Sequence, residues 1–374
     1  MSADILDDLG TLSETTAATA EKAAALAHRL FESLGPALEL LTIELGHRRG
    51  LYAAIGVAGI VTAPELANAT GCDERQVREW LDQQAIAGIL ETAPEPPRKY
   101  WIPTAHRPAL LDPIAPANAT GLATMFAGVA SAFDAVADAF AGGRPIGFAQ
   151  FGAAIRNGFE AIHRPVFVHA LPSWLQRLPD IVSRLESGGV ILDAGCGTGW
   201  STIALAQRFP RAQVIGVDLD PASVAQAQRN AATAGVADRV RFERADVGDG
   251  TALREIVDGQ ATLATVFLAL HDMGNPVRAL SSLAAVLDPA GALLIADAKI
   301  ADVFVAPGGP LDRMYAAISV LHRLPATQTD GTGRAHGTVL RGPTMVAWSA
   351  AAGLTRATRL AIDHPTWSFY RLDP

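Results

Sequence analysis

From residue 188 onward, short apolar runs alternate with stretches in which apolar residues recur every three or four positions. The runs at 190–192, 213–217, 240–243, 262–270 and 292–296 predict strands. The 3.6-residue pattern predicts helices over 200–208, 223–234 and 276–287. Such alternation predicts a parallel sheet covered on both faces. Apolar stretches at 354–362 and 366–372 flank His364-Pro365 and predict a closing antiparallel hairpin. The segment 300–343 is too long for a simple connection and reads as a lid or binding loop. Inside it, 311–324 has helical spacing that puts Tyr315 and His322, the substrate-pocket candidates, on one face.

The first half of the chain reads differently. Helical patterns cover 23–34 and 36–45, and 51–60 is an apolar, glycine-punctuated stretch. Thr62 with Glu65 three residues on is a capping box that opens a short helix ending near Gly71, and a second helix follows over 73–87. Two extended pieces, 88–92 and 98–102, come next around a Pro-rich turn. Helix, turn, helix and hairpin is the winged-helix order. Residues 116–185 read as helical linker, with Leu122, Met125, Phe126, Val129, Phe133, Val136 and Phe140 forming one buried amphipathic stripe. The expected division is therefore 1–115, a helical and winged-helix domain; 116–185, the linker; and 186–374, the α/β domain.

Composition narrows the function classes. A length of 374 residues suits two domains, and 49% hydrophobic with 18% charged residues suits a full α/β core. A net charge of -8 argues against an electrostatic hold on nucleic acid or anionic lipid. Between residues 62 and 87, two arginines against five acids leave -3, the wrong sign for a helix bound for the major groove. Subunit pairing is the better use of that module. Two cysteines, Cys72 and Cys196, make no disulfide framework, and the acidic start lacks a secretory n-region. A soluble, cytoplasmic protein without a membrane span is expected.

The chemistry gathers at strand ends. After the strand at 190–192 come Asp193 and glycines at 195, 197 and 199, followed at once by a helical pattern. A tight glycine turn of this kind lets a ligand lie against bare backbone. A dinucleotide fingerprint would need its third glycine one residue later, where Trp200 stands. The next strand ends in Asp218, placed to accept hydrogen bonds from both ribose hydroxyls of a nucleoside. Asp220-Pro221 starts the following helix. Further strand ends carry Asp246, His271-Asp272 and Asp297. In an open sheet these ends converge on one crevice. Cys196, inside the glycine loop, reads as a small packing residue, since no histidine or second cysteine accompanies it.

The Asp193-x-Gly195-x-Gly197-x-Gly199 spacing resembles the first motif of class I S-adenosylmethionine-dependent methyltransferases. Further likenesses at 37–42, 50–53 and 75–81 make most of the chain resemble the small-molecule methyltransferases with an N-terminal winged-helix dimerisation domain, in an actinobacterial branch. The resemblance implies a Rossmann-like seven-stranded methyltransferase sheet, S-adenosyl-L-methionine as cofactor, a homodimer through the N-terminal domain and a small-molecule substrate of biosynthetic metabolism. It implies a cofactor set of Asp193, Gly195, Cys196, Gly197, Gly199, Asp218, Leu219, Asp246 and Val247, with Asp246 on the adenine amino group and Val247 beside the ring.

The segment 266–273 resembles the Leu-His-Asp-Trp segment of winged-helix O-methyltransferases, which makes His271 the candidate general base. Methyl transfer to a hydroxyl or amine releases a proton, and a near-neutral imidazole accepts it well, for about 10²–10⁴ in rate. Asp297, on the neighbouring strand, is the candidate orienter; Asp272 would point away from its neighbour if the strand continued. Met273 replaces the usual tryptophan, Asp297 stands where plant-type members have glutamate, and residues 333–344 offer no second catalytic acid. O-, N- and C-methylation therefore stay open. The alternatives are a cofactor-sensing winged-helix regulator and a metal-assisted C-methyltransferase through His271, His322 and His336. No short ligand spacing supports a metal, and none is expected.

Overall fold

This computed structural model describes residues 3–93, 96–142, 145–327 and 340–374, with side chains from Ala18 onward. The chain divides into two compact units, Met1–Arg107 and Pro108–Pro374.

In the first unit, α1 (Ala3–Arg48) is one continuous helix rather than two. Pro36 sits inside it and deprives the Glu32 carbonyl of its usual partner, but this stretch is exposed, so water can serve that carbonyl. The apolar stretch after it is a helix too, α2 (Leu51–Ala58), which buries Leu51, Tyr52 and Ile55. Then come β1 (Ile60–Val61), α3 (Ala63–Thr70), α4 (Glu74–Ile86), β2 (Glu91–Ala93) and β3 (Lys99–Trp101). The Thr62 backbone N–H and hydroxyl both donate to Glu65 at 2.8 Å, and Asp73 caps α4 by accepting from the Gln76 N–H at 3.0 Å. The small sheet has the order β1-β3-β2. Trp80 of α4 lies against Gly46, where a Cβ would collide with its ring, and its Nε1–H donates to the Thr42 carbonyl at 2.9 Å. Both arginines of α4 are tied down within the helix, Arg75 to Glu79 and Arg78 to Glu74, each at 2.5 Å.

The boundary turn α5 (Arg107–Leu110) leads into the second unit, which opens with α6 (Thr120–Ser131), α7 (Phe133–Gly142), α8 (Gly152–Leu175) and α9 (Pro179–Ser187). The expected single amphipathic helix is two, bent by 54° at the break. The large-residue stripe is buried only in part: Val136 is buried and Met125, Phe126 and Val129 are half-buried, but Leu122, Phe133 and Phe140 are exposed, while the small residues Thr120, Gly121, Ala123, Thr124 and Gly128 are buried. The reason is a close helix crossing. A Cβ on Gly158 of α8 would stand 2.6 Å from the Met125 backbone nitrogen, and one on Gly128 would stand 2.8 Å from that of Ile155. Among the described residues no single helix is long and apolar enough to cross a membrane; only the bent α6–α7 pair passes on length and composition.

The α/β part runs β4 (Gly189–Ala194), α10 (Trp200–Arg208), β5 (Ala212–Asp218), α11 (Pro221–Thr233), β6 (Val240–Arg244), α12 (Gly250–Val257), β7 (Ala261–Phe267), α13 (Pro276–Ala284) and β8 (Leu287–Ala298). It closes with α14 (Pro310–Ile318), a π-helical turn Ser319–Arg323, α15 (Leu324–Ala326), α16 (Gly342–Ala351), β9 (Arg356–Leu360) and β10 (Trp367–Asp373). The seven-stranded sheet has the order β6-β5-β4-β7-β8-β10-β9. The first five of these are parallel, and β10 runs antiparallel to both neighbours, with Ser368 opposite Asp297. Alternate residues feed two cores: on β4, Ile191 faces one, while Leu192 and Ala194 face the other. The chain leaves β4 toward β6 and returns to β7 on the other side, so the switch point lies above β4 and β7.

Candidate active site

A cavity of about 650 Å³ opens at the carboxyl ends of β4 to β7, within the usual range for a small-ligand pocket. Gly195, Cys196, Gly197, Asp218, Leu219, Asp246 and Val247 all line it. Asp193 and Gly199 do not. Asp193 is 1% exposed beneath the loop, where it accepts from the hydroxyls of Ser201 and Thr202 at 2.6 Å and of Thr265 at 2.7 Å. Burial pushes its carboxyl up, and the three hydroxyls oppose the push. Its place in the fold is to lock the turn onto α10 and β7.

The three glycines have φ of 71°, 54° and 83°. Side chains at Gly195 and Gly199 would collide with Ala269 and Phe242. Gly197 differs: a Cβ there meets no atom within 4 Å, so its bare backbone faces open cavity. Asp218 accepts the Gly197 N–H at 2.8 Å and the Asp220 N–H at 2.9 Å, joining the loop to the end of β5. Burial raises its carboxyl to about 6. Asp246 accepts from the Gly248 N–H and pairs with Arg278, each at 2.8 Å. Cys196 is buried, and that burial, with Asp218 and Asp193 nearby, pushes its thiol well above the ordinary range, which suits packing rather than nucleophilic work.

The resemblance places a cofactor-covering helix at 167–175; in the structure the wall comes from the preceding turns of α8, where Arg156, Phe159, Glu160, His163, Arg164 and Phe167 line the same cavity. Arg156 Nε donates to Asp220 at 3.0 Å, and Glu160 accepts from the Trp200 indole at 2.9 Å. These two contacts tether the helix over the glycine loop. The Arg164 guanidinium stacks 3.9 Å above the Trp200 ring, and its buried Nε has no hydrogen-bond partner. A spacing of four, three and four between residues 156, 160, 163 and 167 was the available sequence signal for this face.

The catalytic candidates meet one another. His271 is not on a strand: β7 ends at Phe267, and a short 3₁₀ turn, Leu270–Asp272, carries it. Its ring is fully buried, with Nδ1 at 2.8 and 2.9 Å from the two Asp297 oxygens. Because the turn replaces the expected strand, Asp272 does not point away; its Oδ1 stands 3.5 Å from His271 Nε2. Arg323, from the π-helical turn, directs Nη1 at that same Nε2. A guanidinium only donates, so Nε2 is the acceptor and Nδ1–H faces Asp297. Burial and the Arg323 cation press the imidazole downward, but Asp297 and Asp272 outweigh them and the net shift is upward.

The substrate candidates are placed otherwise than expected. Neither Tyr315 nor His322 lines the cavity; Arg323 and Ala326 of the same segment do. Tyr315 is buried and donates to the Thr366 carbonyl at 2.9 Å. His322 stands behind the wall, edge-on to Phe148, Phe151 and Phe159, and burial lowers its pKa to about 4. Among the described residues no group of three or more His, Cys, Asp or Glu is arranged to hold a metal. His336 lies outside the described residues.

Residues 185–333 match the model of a methyltransferase domain, and residues 37–112 that of an Rv2258c-like winged HTH domain. The chain joins a winged-helix domain to a methyltransferase domain. Demethylmenaquinone methyltransferase of Thermus thermophilus is 31% identical over 137 residues, which is 37% of this chain and 59% of that protein. Trans-aconitate 2-methyltransferase of Deinococcus radiodurans is 34% identical over 105 residues, 28% of this chain and 36% of that protein. The chain covers less than two thirds of the length of these curated relatives. Over nearly the whole chain the fold is that of solved class I methyltransferases. The mitomycin 7-O-methyltransferase MmcR superposes with a TM-score of 0.67 at 19% identity, covering 95% of this chain and all of its own. Human N-acetylserotonin methyltransferase, solved in complex with SAM, gives 0.63 at 17% identity, covering 93% of this chain and 97% of its own.

Proposed function

We propose that this methyltransferase fold transfers a methyl group from S-adenosylmethionine to a hydroxyl of a small-molecule acceptor, with His271 as general base. The carrying observation is that one cavity holds the bare Gly197 backbone and Asp218 and is walled by Asp272 and Arg323, directly behind which stands the buried His271–Asp297 pair, itself not part of the lining.

The residues present fit the cofactor. Asp218 holds the ribose hydroxyls, Asp246 the adenine amino group, and Leu219 and Val247 pack beside the base. The Gly195–Gly197 backbone takes the methionine portion, and Arg164, with its free buried Nε, pairs with the carboxylate. When bound, S-adenosylmethionine supplies an electrophilic methyl carbon on a sulfonium and leaves as a neutral thioether. The chain's own contribution is placement and proton traffic. Alignment of the acceptor in a closed pocket supplies much of the rate. Asp297 fixes the Nδ1–H tautomer, so Nε2 receives the hydroxyl proton as the oxygen–methyl bond forms.

The protein works as a homodimer through α1. This helix extends roughly 70 Å at 1.5 Å per residue. Leu26, Leu30, Leu34, Leu38, Leu41 and Leu45 form an exposed stripe along it, with Phe31 alongside. An apolar groove lined by Leu38, Leu41 and Ile86 runs beside the stripe in the same unit. A second copy of α1 presents matching apolar surface, as a two-fold interface requires. The paired arginines and net negative charge of α3 and α4 favour this role over DNA binding.

Transfer of labelled methyl from S-adenosylmethionine to a panel of phenols tests the reading. Incorporation into a hydroxyl that depends on His271 is the expected result; no incorporation into phenols or enols, or incorporation into amines alone, sinks it.

A further inference from the structure

Arg323 is 4% exposed and lines the cavity. Among the described residues no ion pair joins it to a carboxylate. Its Nη1 rests on the neutral face of His271, and its buried Nε has no hydrogen-bond partner. A buried cation left without an anion or a full set of acceptors is costly. The nearest carboxylates are engaged elsewhere: Asp297 on His271 Nδ1, and Asp272 toward Nε2 at 3.5 Å. Asp272 Oδ1 is itself buried and accepts no hydrogen bond beyond that 3.5 Å ion-pair contact. The other titratable rings facing this cluster are held neutral by burial: it lowers His163 to about 3 and His322 to about 4, and it raises Tyr315, whose ring centre lies 5.9 Å from the Arg323 guanidinium. Arg323 and Asp272, which both line the cavity, therefore set a donor with spare capacity beside an acceptor with spare capacity, and the base lies directly behind them. That pattern is complementary to an acceptor oxygen adjacent to a hydroxyl.

We propose that Arg323 is a substrate-anchoring residue that binds a carbonyl or carboxylate oxygen next to the methyl-accepting hydroxyl, which makes the substrate class an ortho-hydroxycarbonyl compound. This rests on the methyl-transfer reading and goes further, because it names what the acceptor must carry. Arg323 covers the base. The substrate's carbonyl oxygen draws the guanidinium off Nε2, and the neighbouring hydroxyl takes its place there, with Asp272 as a second acceptor. A plain phenol has no group to move Arg323 and competes poorly for Nε2. Base exposure and substrate choice are then one event.

The test titrates the protein, saturated with S-adenosylhomocysteine, with 2′-hydroxyacetophenone and with 2-ethylphenol, which has the same shape but lacks the carbonyl. A hydrogen bond to a buried guanidinium predicts a preference for the ketone of roughly tenfold or more in wild type. Arg323→Met should bring the two ligands within about twofold, Arg323→Lys should keep part of the preference, and His271 should titrate at higher pH once the cation is gone. Equal or undetectable affinity for both probes in wild type overturns the proposal, as does an unchanged preference in Arg323→Met. Absence of S-adenosylhomocysteine binding would instead strike the methyl-transfer reading, so the two failures are separable.

Discussion

Nδ1 of His271 lies 2.8 Å from Oδ1 of Asp297; the histidine sits on the 3₁₀ turn that follows β7, and the aspartate at the end of the adjacent parallel strand β8. The pair is sealed from water, so its geometry is fixed by packing. With His271→Ala we expect turnover to fall by about 10²–10⁴ while S-adenosylhomocysteine affinity stays within a few-fold. The rate should rise with pH through the His271 pKa, which sits above the ordinary imidazole value near 6.5. Asp297→Asn removes the carboxylate that holds it up and should move this limb to lower pH. The sign for stability is opposite. The raised imidazole contributes stability below its unfolded pKa and loses it as pH rises through the folded one. A pH–rate profile alongside urea unfolding at several pH values checks both.

Asp218 titrates where its ligand should feel it. Burial lifts the carboxyl to about 6, and a protonated acid accepts fewer hydrogen bonds from ribose. S-adenosylhomocysteine should therefore bind roughly tenfold more weakly at pH 5 than at pH 7.5, with proton release on binding in the acid range. In the free protein this raised acid costs stability as pH climbs from its unfolded value to about 6. Calorimetry in buffers of different ionisation enthalpy measures the proton count; an affinity flat across this range contradicts the assignment.

Gly158 permits the crossing of α6 and α8 that builds the cavity wall. An added methyl would stand 2.6 Å from the Met125 backbone nitrogen, which cannot swing aside as a side chain could. Gly158→Ala should destabilise the protein by about 1–3 kcal/mol, read as a lower urea midpoint.

Leu30 and Phe31 are 62% and 77% exposed on α1. If a second copy covers them, Leu30→Glu with Leu34→Glu should convert a dimer to a monomer in sedimentation velocity. A wild-type chain that sediments as a monomer at micromolar concentration would contradict the pairing.

Much of the sheet was legible because its strands are short, apolar and bounded by glycines and acids, and because helical periodicity separates them. The glycine turn and the acids at the strand ends were readable for the same reason: their spacing is local. What escaped was set by tertiary contact. The spacing buries Val136 as expected but not Leu122, Phe133 or Phe140, because Gly121, Gly128 and Gly158 bring two backbones close enough for small residues to form the contact. The spacing puts His322 and Tyr315 on one helical face, but the π-helical turn that contains His322 delivers Arg323 to the cavity instead. Nothing near Arg323 in the chain announces His271, 52 residues away. Asp272 turns toward His271 because the strand stops at Phe267, and no local signal in the sequence marks that stop.

The most direct measurement is isothermal titration of the purified protein with S-adenosylmethionine and S-adenosylhomocysteine. The account predicts saturable heat at a single class of site for both, weakened at least tenfold by Asp218→Ala, which removes charge-assisted hydrogen bonds to the ribose. No heat from either compound, or equal binding by Asp218→Ala, would contradict it.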